Sequence, residues 1–250
     1  MLKNTLKKYL KTFLTAALFF ALFALNPAGQ KLIDSTQAAD SNFTLTWSSD
    51  SYVPPGYEGL ALPTQGSQIK VFALPTKKLN VNPEKLTYRW LLDEEIMGWA
   101  GGQGKSVFSF KVTKWPSDYH TIESQILDEK GNVLWRGSTE IKISNAETIF
   151  KLPNNNYSIA ETFNAKTGQT LKILAFPLFF NTKDLGGLNF QWKIDGQELI
   201  TLDNEDFNTF SLTIPSGQLE ETLIKNLGLI VSNKKNSDQQ ASSQIILEIK

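Results

Sequence analysis

A chain of 250 residues, 41% hydrophobic and 11% aromatic, carries enough apolar material for one large or two ordinary cores, which excludes wholesale disorder. Its 25 basic and 25 acidic side chains balance; without residues 1–39 there remain 20 basic against 24 acidic, a net charge of −4 that argues against a nucleic-acid partner. Cysteine is absent, so a thiolate nucleophile, a cysteine metal site and a lipid-modified cysteine are excluded, and any core must be held by burial without disulfides.

From the N-terminus, Lys3, Lys7, Lys8 and Lys11 precede an uncharged run from Thr12 to Leu25 containing Phe13, Leu14, Leu18, Phe19, Phe20, Leu22 and Phe23. A basic flank followed by a short apolar run is the order of a secretory signal. The run's 14 residues fall short of the about 20 needed to span a bilayer, which favours cleavage, at Ala28, Ala38 or Ala39, over retention as an anchor. Residues 1–39 are assigned to a signal peptide or membrane anchor with a short linker. The protein is therefore expected to be exported, to the medium, the cell surface or a periplasm-like space, touching membrane through this segment alone.

The remainder is written twice. At an offset of 102 residues, Gly66, Lys70, Ala73, Pro75, Leu86, Trp90, Asp93, Phe108 and Ser109 recur as Gly168, Lys172, Ala175, Pro177, Leu188, Trp192, Asp195, Phe210 and Ser211. Between these identities apolar positions stay apolar: Val71 becomes Ile173, Tyr88 becomes Phe190 and Phe110 becomes Leu212. The period within each copy is two. Leu86, Tyr88, Trp90 and Leu92 alternate with Thr87, Arg89 and Leu91, and Leu188, Phe190, Trp192 and Ile194 alternate with more polar neighbours, which predicts strands with one buried face. Phe108-Phe110-Val112 and Phe210-Leu212-Ile214 predict further strands, as do Ile122 to Leu127, Ile141 with Ile143, Leu227 to Val231, and Leu247 with Ile249. Glu129-Lys130-Gly131-Asn132, Asp195-Gly196 and Lys235-Asn236-Ser237 are turn sequences. Leu62-Pro63-Thr64-Gln65-Gly66 is likewise read as a turn. A helix is available at most over Gln218 to Asn226. About a hundred residues per copy with short strands at this spacing predicts an all-β protein of two tandem β-sandwiches, residues 40–145 and 146–250, joined near Ser144 to Thr148.

The strand written Tyr88-Arg89-Trp90 and Phe190-Gln191-Trp192 resembles the core signature of immunoglobulin-like modules of the polycystic kidney disease type. Asp93-Glu94-Glu95 and Asp195-Gly196-Gln197 stand where that pattern has Gly-Asp-Gly. Together with Val53-Pro54-Pro55-Gly56-Tyr57 and Ala175-Phe176-Pro177-Leu178-Phe179-Phe180, the arrangement also resembles exported two-domain surface proteins of candidate-phyla bacteria. The resemblance implies an Ig-like architecture and an extracytoplasmic location, with Trp90 and Trp192 as core residues.

Reactive chemistry is sparse. His120, the only histidine, precedes a predicted strand and reads as a satisfied structural or surface imidazole, not a catalytic base. Gly98 to Ser106 ends like a phosphate-binding loop, but Trp99 occupies the place of its first glycine and a strand follows where a helix is required, so a flexible glycine-rich loop is expected. Asp93-Glu94-Glu95 and Asp203-Asn204-Glu205-Asp206 could hold calcium but lack EF-hand spacing and read as solvated acidic turns. No catalytic residue, metal or cofactor is assigned. Of the six tryptophans, Trp47, Trp99, Trp115 and Trp135 fall outside the two core positions, and Trp99 and Trp115 lie in predicted loops. The leading expectation is a non-enzymatic structural or protein-interaction module at the cell surface with a protein partner. The alternative is a carbohydrate-binding module acting through Trp99 and Trp115.

Overall fold

The computed structural model describes residues 42–76, 82–153, 158–159, 161–199 and 207–250. The leader and its cleavage positions lie outside the described residues, as does Asp203 to Asp206. Apart from two single 3₁₀ turns, Pro83–Lys85 and Leu185–Gly187, all regular structure is strand.

The first half contributes β1 (Phe43–Ser49), β2 (Gln68–Pro75), β3 (Thr87–Leu92), β4 (Glu95–Ile96), β5 (Gly102–Gln103), β6 (Val107–Lys111), β7 (Tyr119–Leu127) and β8 (Val133–Lys142). One sheet has the order β1-β2-β6, and the other has β4-β3-β7-β8 with β5 also on β3. The second half contributes β9 (Glu147–Lys151), β10 (Ser158–Ile159), β11 (Thr162–Ala165), β12 (Thr170–Leu178), β13 (Leu188–Ile194), β14 (Gln197–Glu198), β15 (Thr209–Thr213), β16 (Leu223–Asn233) and β17 (Asn236–Ile249). Its sheets run β10-β9-β12-β15 and β11-β17-β16-β13-β14. In both halves the chain crosses from one sheet to the other, as from β2 to β3 and β6 to β7 in the first and from β12 to β13 and β15 to β16 in the second, so that the two sheets enclose a core. This is the immunoglobulin and fibronectin-III arrangement, and the protein is a tandem of two Ig-like sandwiches.

The repeat survives at atomic detail. Both tryptophans are fully buried, and each indole N–H donates to a backbone carbonyl fifteen residues on, Trp90 to Lys105 at 2.9 Å and Trp192 to Phe207 at 3.2 Å. Phe108 stacks on Trp90 at 5.7 Å between ring centroids, and Phe210 lies 5.5 Å from Trp192. Burying an indole removes about 150–250 Å² from water, worth roughly 4–6 kcal/mol before conformational entropy is charged against it. The two cores are separate. Ile69, Val71, Tyr88, Trp90, Phe108 and Ile122 belong to one, whereas Phe150, Ile173, Phe180, Trp192, Leu229 and Leu247 belong to the other.

Two expectations change. Gln218 to Asn226 contains no helix: β16 begins at Leu223, because Leu227, Leu229 and Val231 alternate toward the core and the ladder with β17 continues back to Leu223. The glycine-rich stretch is not simply loop, since Gly102 and Gln103 pair with Tyr88 and Thr87 of β3. Gly101 permits this approach, as a Cβ there would stand 2.9 Å from the Tyr88 carbonyl oxygen.

The copies differ at one edge. Beside β17 lies β11, in parallel register from Thr162 opposite Ile246 to Ala165 opposite Ile249. At the equivalent edge of the first sandwich, the stretch of β8 from Arg136 to Lys142 has no strand neighbour on its outer side among the described residues.

Candidate functional site

The acidic turn of the first copy is a structural joint. Asp93 and Glu94 occupy the left-handed region with φ of 50° and 72°, as Asp195 and Gly196 do with 49° and 80°, giving both hairpins the backbone that a two-residue connection requires. The Asp93 carboxylate accepts the Thr121 N–H at 3.0 Å and pairs with Lys114 at 2.9 Å and His120 Nδ1 at 2.7 Å. In the second copy Asp195 accepts the Asn226 N–H at 2.9 Å and pairs with Lys225 at 2.7 Å. Partial burial works to raise the Asp93 carboxyl, but the bonds from Lys114, the Thr121 N–H and His120 hold it below its ordinary value. The Asn226 N–H and Lys225 lower the Asp195 carboxyl likewise. The reading of Asp93 as a solvated acid is therefore corrected: its oxygens are engaged by the neighbouring strand.

His120 is buried, with Phe110 edge-on at 5.1 Å. It is structural but only half satisfied, because Nε2 has no hydrogen-bond partner among the described residues. Among the described residues no cluster of three or more metal-ligating side chains occurs.

The candidate tryptophans occupy different places. Trp99, 67% exposed, caps the lateral edge of the first sandwich, its ring 5.8 Å from Phe108. Trp115, 65% exposed, follows β6 and lines a cavity at the seam between the sandwiches. Trp47 and Trp135 are partly buried against the first core.

The seam itself is the most elaborate polar feature. The Tyr52 N–H donates to the Phe180 carbonyl and the Tyr52 carbonyl accepts the Phe179 N–H, both at 2.7 Å, forming an antiparallel bridge between the halves. Phe179, buried and at φ 64°, receives the edge of Tyr57 at 5.9 Å. The Pro-Pro-Gly-Tyr segment and the Phe-Phe strand end are thus neighbours in space. Around them runs a set of bonded polar groups, of which Thr64, Asn233 and Gln239 are buried and Asn181 is half-buried. The Thr64 hydroxyl lies 3.1 Å from both the Phe179 carbonyl and Asn181 Oδ1, and accepts from Gln239 Nε2 at 2.9 Å. Gln239 Oε1 accepts the Asn181 N–H and Asn233 Nδ2, both at 2.8 Å. Asn181 Nδ2 reaches back to the Gln65 carbonyl. The stretch containing Thr64 does turn at Gln65 and Gly66, but reading it as a turn alone missed the threonine's role. A signal was present: at the offset of 102, Thr64 faces Lys166 and Asn181 faces Leu79, so the network falls where the copies disagree.

No protein-family model matches the chain, and no curated protein matches its sequence. Among solved structures it is similar to fibronectin(III)-like modules of Clostridium thermocellum CbhA, at 12% identity over 82% of this chain and 94% of that one, with a TM-score of 0.28. It is similar to a pair of tandem titin Ig domains at 12% identity, covering 76% and 90%, with a TM-score of 0.31. The ectodomain of mouse nectin-like molecule 4 matches at 11% identity over 84% and 64%, with a TM-score of 0.30.

Proposed function

We propose that this chain is a non-enzymatic, exported spacer that holds a protein partner at the cell surface at a defined distance and angle. The observation that carries this reading is the seam. A flexible linker between two autonomous sandwiches needs no buried polar groups, yet here Thr64 bonds across it to Asn181, Gln239 and the Phe179 carbonyl, and Asn233 braces Gln239 from within the second sandwich. Such a network stabilises one relative orientation, since each group left without its partner costs about 1–3 kcal/mol. Export follows from the basic and apolar leader, and the polycystic-kidney-disease-type lineage from the tryptophan strands. The protein partner is assigned to sheet edges, where an extended segment can add a strand, and the outer side of β8 from Arg136 to Lys142, without a strand neighbour among the described residues, is one such edge.

Two measurements test the reading. Small-angle scattering from the full chain is expected to fit a single inter-sandwich orientation, and a membrane-impermeant amine reagent applied to intact cells is expected to label lysines in residues 42–250. An ensemble of orientations overturns the spacer role, and protection of those lysines overturns export. Sustained turnover of a glycan, ester or peptide by the purified chain, lost on substituting one carboxylate, overturns the non-enzymatic assignment.

A further inference from the structure

The seam also holds a cavity of about 230 Å³, which a spacer does not need. Trp115 and Pro116 form one wall, Ser144 to Ala146 line the crossing between the sandwiches, and the start of β17 contributes Asn236, Asp238 and Gln240 opposite. No lysine, arginine or histidine lines it, and Asp238 is its single carboxylate. That composition narrows the ligand class. An anion would meet no cation, and a divalent metal would meet one charged oxygen where it needs several. An apolar ligand would strip water from the surrounding amides without replacing it.

What remains is a neutral molecule with hydroxyls around its rim and an apolar face. Amide side chains both donate and accept, as hydroxyls do, so Asn145, Asn236 and Gln240 can each meet a sugar hydroxyl in either sense, and Asp238 can accept from two. Trp115 supplies the flat apolar surface, and its ring has no aromatic partner among the described residues. The frame is preorganised. Gln239, between Asp238 and Gln240, is buried with both ends of its amide engaged, and Gln65 Nε2 is held by the Thr113 carbonyl at 3.3 Å. The volume lies below the range of about 300–1,000 Å³ usual for drug-sized ligands, enough for one ring of a chain whose remainder leaves through the open side.

We propose that this cavity is a saccharide subsite that takes one pyranose unit of a neutral glycan, with Trp115 as its stacking platform and Trp99 playing no part. A single ring is expected to bind with a Kd on the order of 1 mM. The proposal is independent of the spacer role: scattering reports the seam's rigidity whether or not the cavity is filled.

The test is saturation-transfer NMR and calorimetry on the full chain with soluble cello-, laminari-, manno- and chito-oligosaccharides, each raised to about ten times that Kd. Binding of at least one is expected, with transfer to ring C–H protons. Affinity is expected to fall at least about tenfold in Trp115→Ala, to fall less in Trp115→Phe, and to be unchanged in Trp99→Ala. With Trp115 mostly exposed, its variants retain the parent Tm, which separates loss of binding from loss of fold. Absence of binding to all four sugars overturns the proposal, as does binding that survives Trp115→Ala.

Discussion

Replacing Thr64 by valine keeps the branched shape and removes one hydroxyl. Two buried groups lose their partner: Gln239 Nε2, which donates to Thr64 Oγ1 at 2.9 Å, and the Phe179 carbonyl, which receives its proton at 3.1 Å. A buried polar group stripped of its bond costs about 1–3 kcal/mol, so the loss of two such bonds is expected to destabilise the chain by roughly 2–6 kcal/mol in total. In a protein of this size each kcal/mol lowers Tm by about 2–4 °C, which places the variant roughly 4–24 °C below the parent in differential scanning calorimetry. Thr64→Ser keeps the hydroxyl and should stay within about 1.5 kcal/mol of wild type. A cycle with Gln239→Leu should show a coupling of about 0.5–3 kcal/mol, because the two substitutions remove one shared bond. A valine variant as stable as the parent, or additive with Gln239→Leu, would refute the claim that this network holds the sandwiches together.

Other outcomes follow from the same structure. Trp90→Phe and Trp192→Phe each orphan a loop carbonyl and thin the core, so each should cost about 2–4 kcal/mol, and matching losses by urea denaturation would show the two sites to be equivalent. Asp93 ionises below its ordinary 3.8 in the folded chain, so its contribution is complete above the unfolded value and fades as the pH falls through the folded one. Asp93→Asn is therefore expected to reduce neutral-pH stability while flattening the acid limb of a urea-midpoint profile below about pH 5; an unchanged limb counts against the assignment. Asp195→Asn should free the β13–β14 turn from β16, seen as faster amide exchange at Asn226 with little effect on the first sandwich.

The strands were legible in the chain because burial on one face of a pleated sheet forces a period of two, and a duplicated core repeats that constraint 102 residues later. Leu86 to Leu92 and Leu188 to Ile194 carry the pattern openly, and the indole at the centre of each marks the most buried point. The Asp93 joint was half visible: the identity with Asp195 was in the repeat, but a carboxylate's backbone partners lie on another strand, 28 and 31 residues away. β16 was obscured at its start, where Gln218 to Asn226 has the local composition of a helix and only pairing with β17 overrides it.

Local pattern thus determined that the chain has two sandwich cores, where their central strands lie and that cysteine chemistry is excluded, because each of these depends on residue type and near-neighbour spacing. Tertiary structure alone decided that Thr64 meets Gln239 across 175 positions, that Tyr52 pairs with Phe180, and that Trp115 borders a cavity while Trp99 caps an edge. A polar side chain has no periodicity to announce its partner. Its bond is set by how two already folded surfaces meet, which no stretch of sequence encodes by itself.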